Sequence, residues 1–192
     1  MGKKGIILYT SKRGSTKEYA EWIADEIRDS GSECEAVPYD SGKATKSRIN
    51  LYEYDLIIYG GWIRGSGIVD FDKFKGELDE ELLNRLLIFG VGIANESSDN
   101  YMQVYDINYK GIFKDGEKNP TLYILSGRYD PNKITGIDKM MMGVMKKVLM
   151  SGSTKDAKPD ADNMKNRIIN GIDLVDKNNI KAIVKEAKSI LA

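Results

Sequence analysis

The chain has 192 residues, with 29 Lys and Arg against 29 Asp and Glu and a formal net charge of zero. That balance argues against a general nucleic-acid binder, which would carry a basic surplus, and 41% apolar residues argue against disorder. With no histidine and one cysteine, Cys34, the chain lacks His-based triads, His metal ligands, internal disulfides and multi-thiolate zinc sites. An enzyme of this composition relies on a cofactor for its chemistry. Gly5 to Tyr9 is too short for the apolar part of a secretory leader, and no run approaches ~18 apolar residues. The expectation is a soluble intracellular protein, cytoplasmic, with residues 1–192 forming one domain.

In chain order, the first strand is the apolar run Ile6 to Tyr9. A helix over Thr16 to Arg28 follows, with Tyr19, Ala20, Ile23, Ala24 and Ile27 on one face and Gly31 beyond its end. Glu33 to Tyr39 is a weaker strand, placed at the sheet edge because Pro38 removes a ladder donor. Ser41 to Asn50 reads as a poor helix or a loop. Leu56 to Tyr59 is a strand, and Phe71 to Arg85 a helix with Phe74, Leu78 and Leu82 in phase. Leu87 to Val91 is a strand, a looser helix lies within Asp99 to Ile112, and a turn-rich stretch covers 114–120. Leu122 to Leu125 is the fifth strand. Beyond it come a Met-rich helix over Ile134 to Met150, a polar stretch from Ser151 to Asp162, and a terminal helix carrying Ile180, Ile183, Val184, Ala187 and Leu191.

Four of the strands are continuously apolar, which marks strands buried on both faces of a parallel sheet. Strands alternating with helices give a doubly wound α/β fold, and a weak second strand gives the order 2-1-3-4-5. Ligands bind such sheets outside the carboxyl ends of the strands. The loops that matter are therefore Thr10 to Thr16, Gly60 to Asp70 and Gly92 to Tyr101.

The first loop, Thr10-Ser11-Lys12-Arg13-Gly14-Ser15-Thr16, holds four hydroxyls, a glycine and two cations before a helix. A helix N-terminus offers unpaired N–H groups and partial positive charge. Residues 1–17 carry five cations and no acid in a chain that is neutral overall. The loop thus suits a phosphate. Ser15 and Glu18 also have capping-box spacing, which explains those two without a ligand. No Walker A or dinucleotide fingerprint is present. In the second loop, Gly60-Gly61-Trp62-Ile63-Arg64, glycines admit a planar ligand and Trp62 can stack on it. Equally, Trp62 can cover the sheet edge and the glycines turn the chain.

The stretch Tyr9 to Tyr19, with Ser11, Gly14 and Thr16 in order, resembles the phosphate loop of flavodoxins. The resemblance implies a flavodoxin-like three-layer sandwich with non-covalently bound FMN, its phosphate cradled by Ser11 to Thr16. Lys12 and Arg13 stand where flavodoxins usually carry Thr or Ser. By the same resemblance Trp62 or Ile63 stacks on the ring, and Gly60-Gly61 approaches flavin N5. Arg64 either stabilises the reduced anion or faces solvent. The third loop supplies Gly92 and Tyr101, and Tyr101 alternatively packs within the following helix.

Ile58 to Gly67 and Leu125 to Met150, including Gly127-Arg128-Tyr129, are similar to the menaquinone-dependent protoporphyrinogen dehydrogenase family. That likeness implies an FMN-dependent oxidoreductase acting on a quinone or porphyrinogen-like substrate. Two alternatives stand beside it: an electron-transfer flavodoxin docking on a redox partner protein, and a module with a vestigial flavin site. Carrier flavodoxins are usually strongly acidic, unlike this chain. The helix 134–150 lies in a segment, about 130–176, that a minimal flavodoxin does not need. Its apolar face and the surplus of cations over 126–158 suit either the core or peripheral contact with an anionic membrane. Neither a metal nor a nucleic acid is expected.

Overall fold

The computed structural model describes residues 2–40, 49–93, 97–114, 116–150 and 161–192. The stretches expected as a poor helix over Ser41 to Asn50 and as polar turns over Ser151 to Asp162 fall almost wholly outside the described residues, as does part of the third loop.

Strand β1 (Lys4–Thr10) leads into helix α1 (Ser15–Arg28) and strand β2 (Glu33–Pro38). Next come β3 (Leu56–Arg64), the short β4 (Gly67–Ile68), α2 (Phe71–Lys75), α3 (Glu80–Leu83), β5 (Leu86–Gly92), α4 (Ser98–Tyr109) and β6 (Thr121–Ser126). The chain ends with β7 (Arg128–Tyr129), α5 (Gly136–Met150), α6 (Ala161–Asn170), β8 (Ile172–Asp173) and α7 (Lys181–Leu191). Five parallel strands run β2-β1-β3-β5-β6, with β4 folded back antiparallel on β3. Among the five parallel strands this is the expected 2-1-3-4-5 order, with the proline-bearing strand at the edge. A separate antiparallel pair, β7 with β8, sets Arg128 opposite Asp173.

The continuous apolar runs follow from burial on both faces. Ile7, Tyr9, Ile58, Leu87, Phe89 and Val91 pack with α1 and α7. Ile6, Leu8, Ile57, Tyr59 and Ile88 pack on the other face with α2, α3 and α4. Neighbouring residues point oppositely, so both parities must be apolar. Each fully buried aliphatic side chain contributes about 1.5–3 kcal/mol of transfer free energy.

Two expectations are corrected, and one open alternative is narrowed. The helix over Phe71 to Arg85 is two helices: Gly76 closes α2, and the Asp79 carboxylate starts α3 by accepting from Leu82 N at 3.0 Å. Strand β3 continues to Arg64, so Gly60 and Gly61 belong to the sheet rather than to a loop. A Cβ on Gly60 would lie 2.2 Å from Phe89 Cζ, and one on Gly61 2.5 Å from Ile68 Cγ2. Those glycines make room for core side chains. Finally, of the two readings open for the Met-rich helix, its described side chains favour the surface. Ile137, Met140, Met141, Val144, Met145 and Val148 of α5 are all exposed. Among the described side chains of α5 the only buried one is Asp138, at 7%. No helix among the described residues is long and apolar enough to cross a membrane.

Candidate functional site

Helix α1 begins at Ser15, behind Gly14 at φ 93°. That left-handed conformation favours glycine and turns the chain from β1 into the helix. The capping box does not form. Ser15 lies inside the helix, and Glu18 pairs instead with Arg128 at 2.9 Å. Ser11 Oγ accepts from Lys17 N at 3.3 Å. Ser15 and Thr16 are buried at the helix start, where first-turn N–H groups lack intrahelical partners.

A cavity of about 350 Å³ opens beside this helix start. Its size falls in the range of about 300–1,000 Å³ typical of small-molecule sites. It lies at the carboxyl ends of β1, β3, β5 and β6, as the fold requires. Of the expected site residues, Lys12, Arg13, Ser15, Thr16, Trp62, Ile63, Arg64 and Gly92 line it. Thr10, Ser11, Gly14, Gly60, Gly61 and Tyr101 are not in its wall. Thr10 Oγ1 donates to Val69 O at 3.2 Å. Tyr101 stacks on Tyr105 along α4, with ring centroids 6.3 Å apart.

Sequence reasoning missed Asn100 and Gln103 from α4, Gly127, Arg128 and Tyr129 after β6, and an outer wall of Met141, Met142, Met145 and Met164. Gly127 to Tyr129 stood out in the family likeness but not as site residues. Arg128 is anchored by Glu18 at 2.9 Å and Asp173 at 3.2 Å. Tyr129 is buried, which pushes its phenol up, while Arg13 pulls it partly back.

The rim over Arg64 to Gly67 is braced from beneath. Buried Asn108 accepts from Ile68 N at 2.8 Å and donates to Ser66 O at 2.9 Å. Ser66 is held at φ 66°, a conformation rare outside glycine.

Asp138, on α5, dominates the electrostatics. Lys12 Nζ and Arg13 Nη2 each lie 2.7 Å from Asp138 Oδ2. The hydrogen bond from Lys12 holds the Asp138 carboxyl below its ordinary range, aided by the charges of Lys12, Arg13 and Arg64 and opposed by burial. Lys12 and Arg64 also approach the Trp62 ring, 5.2 and 5.5 Å from its centroid. The two residues that depart from the flavodoxin pattern therefore have partners in this chain. Cys34 is remote in β2, its thiol pushed up to about 12 by burial, and inert. No group of three or more Cys, Asp or Glu gathers among the described residues to hold a metal.

A family profile described as a flavodoxin domain matches residues 6–157. The chain belongs to the flavodoxin-domain family. An archaeal flavodoxin is 18% identical over 68% of this chain and 86% of its own, with a TM-score of 0.41. The NAD(P)H:quinone oxidoreductase from Methanothermobacter marburgensis is 12% identical over 72% and 91%, with a TM-score of 0.44. Rubredoxin oxygen:oxidoreductase from Desulfovibrio gigas is 16% identical over 98% of this chain but only 37% of that one, with a TM-score of 0.45. These likenesses carry no functional argument. No curated protein matches the chain.

Family membership implies FMN as cofactor, and the cavity fits it at both ends. The start of α1 with Ser15 and Thr16 supplies donors for a phosphate. Trp62 and Ile63 supply apolar surface for a planar ring. At the phosphate end the side-chain cations are already engaged by Asp138.

Proposed function

We propose that the protein holds FMN in this cavity and exchanges electrons with an apolar redox molecule of the quinone or porphyrinogen-like class, taken up beside α5. The observation that carries this reading is the make-up of the cavity wall. A helix start with hydroxyls and cations forms one end, and four methionines form the outer side. Thioether side chains make an adaptable apolar surface suited to a flat hydrophobic substrate.

Bound FMN supplies the redox chemistry. Ser15, Thr16 and the first N–H groups of α1 hold the phosphate. Trp62 and Ile63 bound the ring, and the methionines offer apolar surface to the substrate. The charge of Arg64 favours an anionic reduced ring.

The exposed apolar stripe of α5 is accompanied by exposed Lys139, Lys146 and Lys147. That combination suits peripheral contact with an anionic membrane, where such substrates dissolve. The likeness of 58–67 and 125–150 to protoporphyrinogen dehydrogenases of the menaquinone-dependent type supports the same substrate class.

The test is anaerobic mixing of chemically reduced, FMN-loaded protein with a short-chain menaquinone, alongside sedimentation with phosphatidylserine vesicles. The expected result is quinone-dependent reoxidation and salt-sensitive vesicle binding, weakened by replacing Lys139, Lys146 and Lys147 with Gln. If vesicles are ignored at low salt and quinone leaves the protein reduced, docking on a redox partner protein replaces this reading.

A further inference from the structure

Helix α5 buries the wrong side chain for a helix held by its apolar face. A surface helix ordinarily turns its apolar stripe inward and leaves charges in water. Here Ile137, Met140, Val144 and Val148 are exposed, and the one buried side chain among those described is Asp138. The end of α5 nearest the loop is fastened by that one carboxylate to Lys12 and Arg13. The helix also rests on α6.

We propose that Asp138 is this chain's own stand-in for the cofactor phosphate, and that a phosphate entering the Lys12–Thr16 loop unlatches α5. The proposal rests on the FMN reading above. Lys12 and Arg13 bring two positive charges, and Asp138 neutralises one. A phosphate monoester carries about −1.5 to −2 at pH 7. Carboxylate and phosphate on the same pair of cations repel one another, and the more highly charged group takes the donors. A ligand shifts a conformational equilibrium only by its different affinity for the two states. Here the difference is competition for Lys12 Nζ and Arg13 Nη2, which Asp138 occupies in the latched state. Binding at the loop and release of the methionine-bearing wall are then one event, so α5 opens toward a substrate or membrane only when cofactor is in place. By reciprocity, anything that holds α5 open tightens the cofactor.

The test is amide hydrogen exchange over residues 136–150, read by mass spectrometry on the full chain. Apoprotein, FMN-saturated protein and riboflavin-treated protein are compared, together with Asp138→Asn. FMN is expected to speed exchange in α5 at least about fivefold, and riboflavin, lacking the phosphate, to leave it unchanged. Asp138→Asn should exchange fast without ligand and bind FMN about tenfold tighter than wild type. The wild-type comparison needs no variant and stands if Asp138→Asn folds poorly. FMN binding that leaves α5 exchange unchanged or slower, or weaker FMN binding by Asp138→Asn, would overturn the proposal while leaving the FMN reading intact. Failure of FMN to bind either protein would overturn both.

Discussion

Replacing Asn108 by Ala should destabilise the protein by about 2–4 kcal/mol and weaken ligand binding through the cavity rim, although Asn108 does not line the cavity. The magnitude comes from three hydrogen bonds. Asn108 is 3% exposed; its Oδ1 accepts from Ile68 N at 2.8 Å, and its Nδ2 donates to Ser66 O at 2.9 Å and Val104 O at 2.6 Å. Ile68 is buried, so its orphaned N–H costs about 1–3 kcal/mol. Ser66 is half-buried, and water can take over its carbonyl, so that bond contributes about 0.5–1.5 kcal/mol. Val104 O keeps its helical donor and adds little. The void left by the amide adds to the loss. At this chain length the melting temperature should fall by about 2–4 °C per kcal/mol. Urea unfolding followed by circular dichroism measures the loss, and an unchanged slope would confirm that the unfolded state is unaffected. Asn108→Asp, which keeps the acceptor but sets a buried carboxylate oxygen against the Ser66 and Val104 carbonyls, should be destabilised at least as much as Asn108→Ala. A loss below about 1 kcal/mol for Asn108→Ala would refute the claim that Asn108 holds the rim.

Trp62→Ala should weaken FMN by about 1–3 kcal/mol, measured by fluorescence titration; unchanged affinity would leave Trp62 as a platform for Lys12 and Arg64 alone. Gly60→Ala should destabilise by about 1–3 kcal/mol or more, because the Phe89 ring must move out of a 2.2 Å contact, and a thermal melt decides it. The Asp138 latch should fail in acid. Its folded pKa is depressed, so its stabilisation is present above the unfolded value and lost as pH falls through the folded one. The stability difference between wild type and Asp138→Asn should hold steady from about pH 8 to 5 and shrink below about pH 4. A difference that vanished near neutrality would contradict the ion pairs.

Local pattern made much of the sheet legible. Ile6 to Tyr9 and Leu56 to Tyr59 are apolar at every position because both faces of their strands are covered. Pro38 marked the edge strand by its missing donor. Long-range pairing was not legible. Glu18 has capping-box spacing with Ser15, but its partner is Arg128, 110 residues away. Lys12 and Arg13 find Asp138 some 125 residues on. The one signal for that pairing was a lone acid in a helix of methionines and lysines. Gly60 and Gly61 read as a ligand-facing turn because their reason, Phe89 and Ile68, lies on other strands. For α5, periodicity showed an apolar face and could not show what covers it.

Titration of apoprotein with FMN, riboflavin and FAD, followed by flavin fluorescence, tests most directly the claim that the start of α1 is a phosphate site serving a flavin cavity. FMN should bind tightest, riboflavin should lose at least about tenfold for want of the phosphate, and FAD should not gain from its second nucleotide because no dinucleotide turn is present. Equal affinity for FMN and riboflavin would contradict the account.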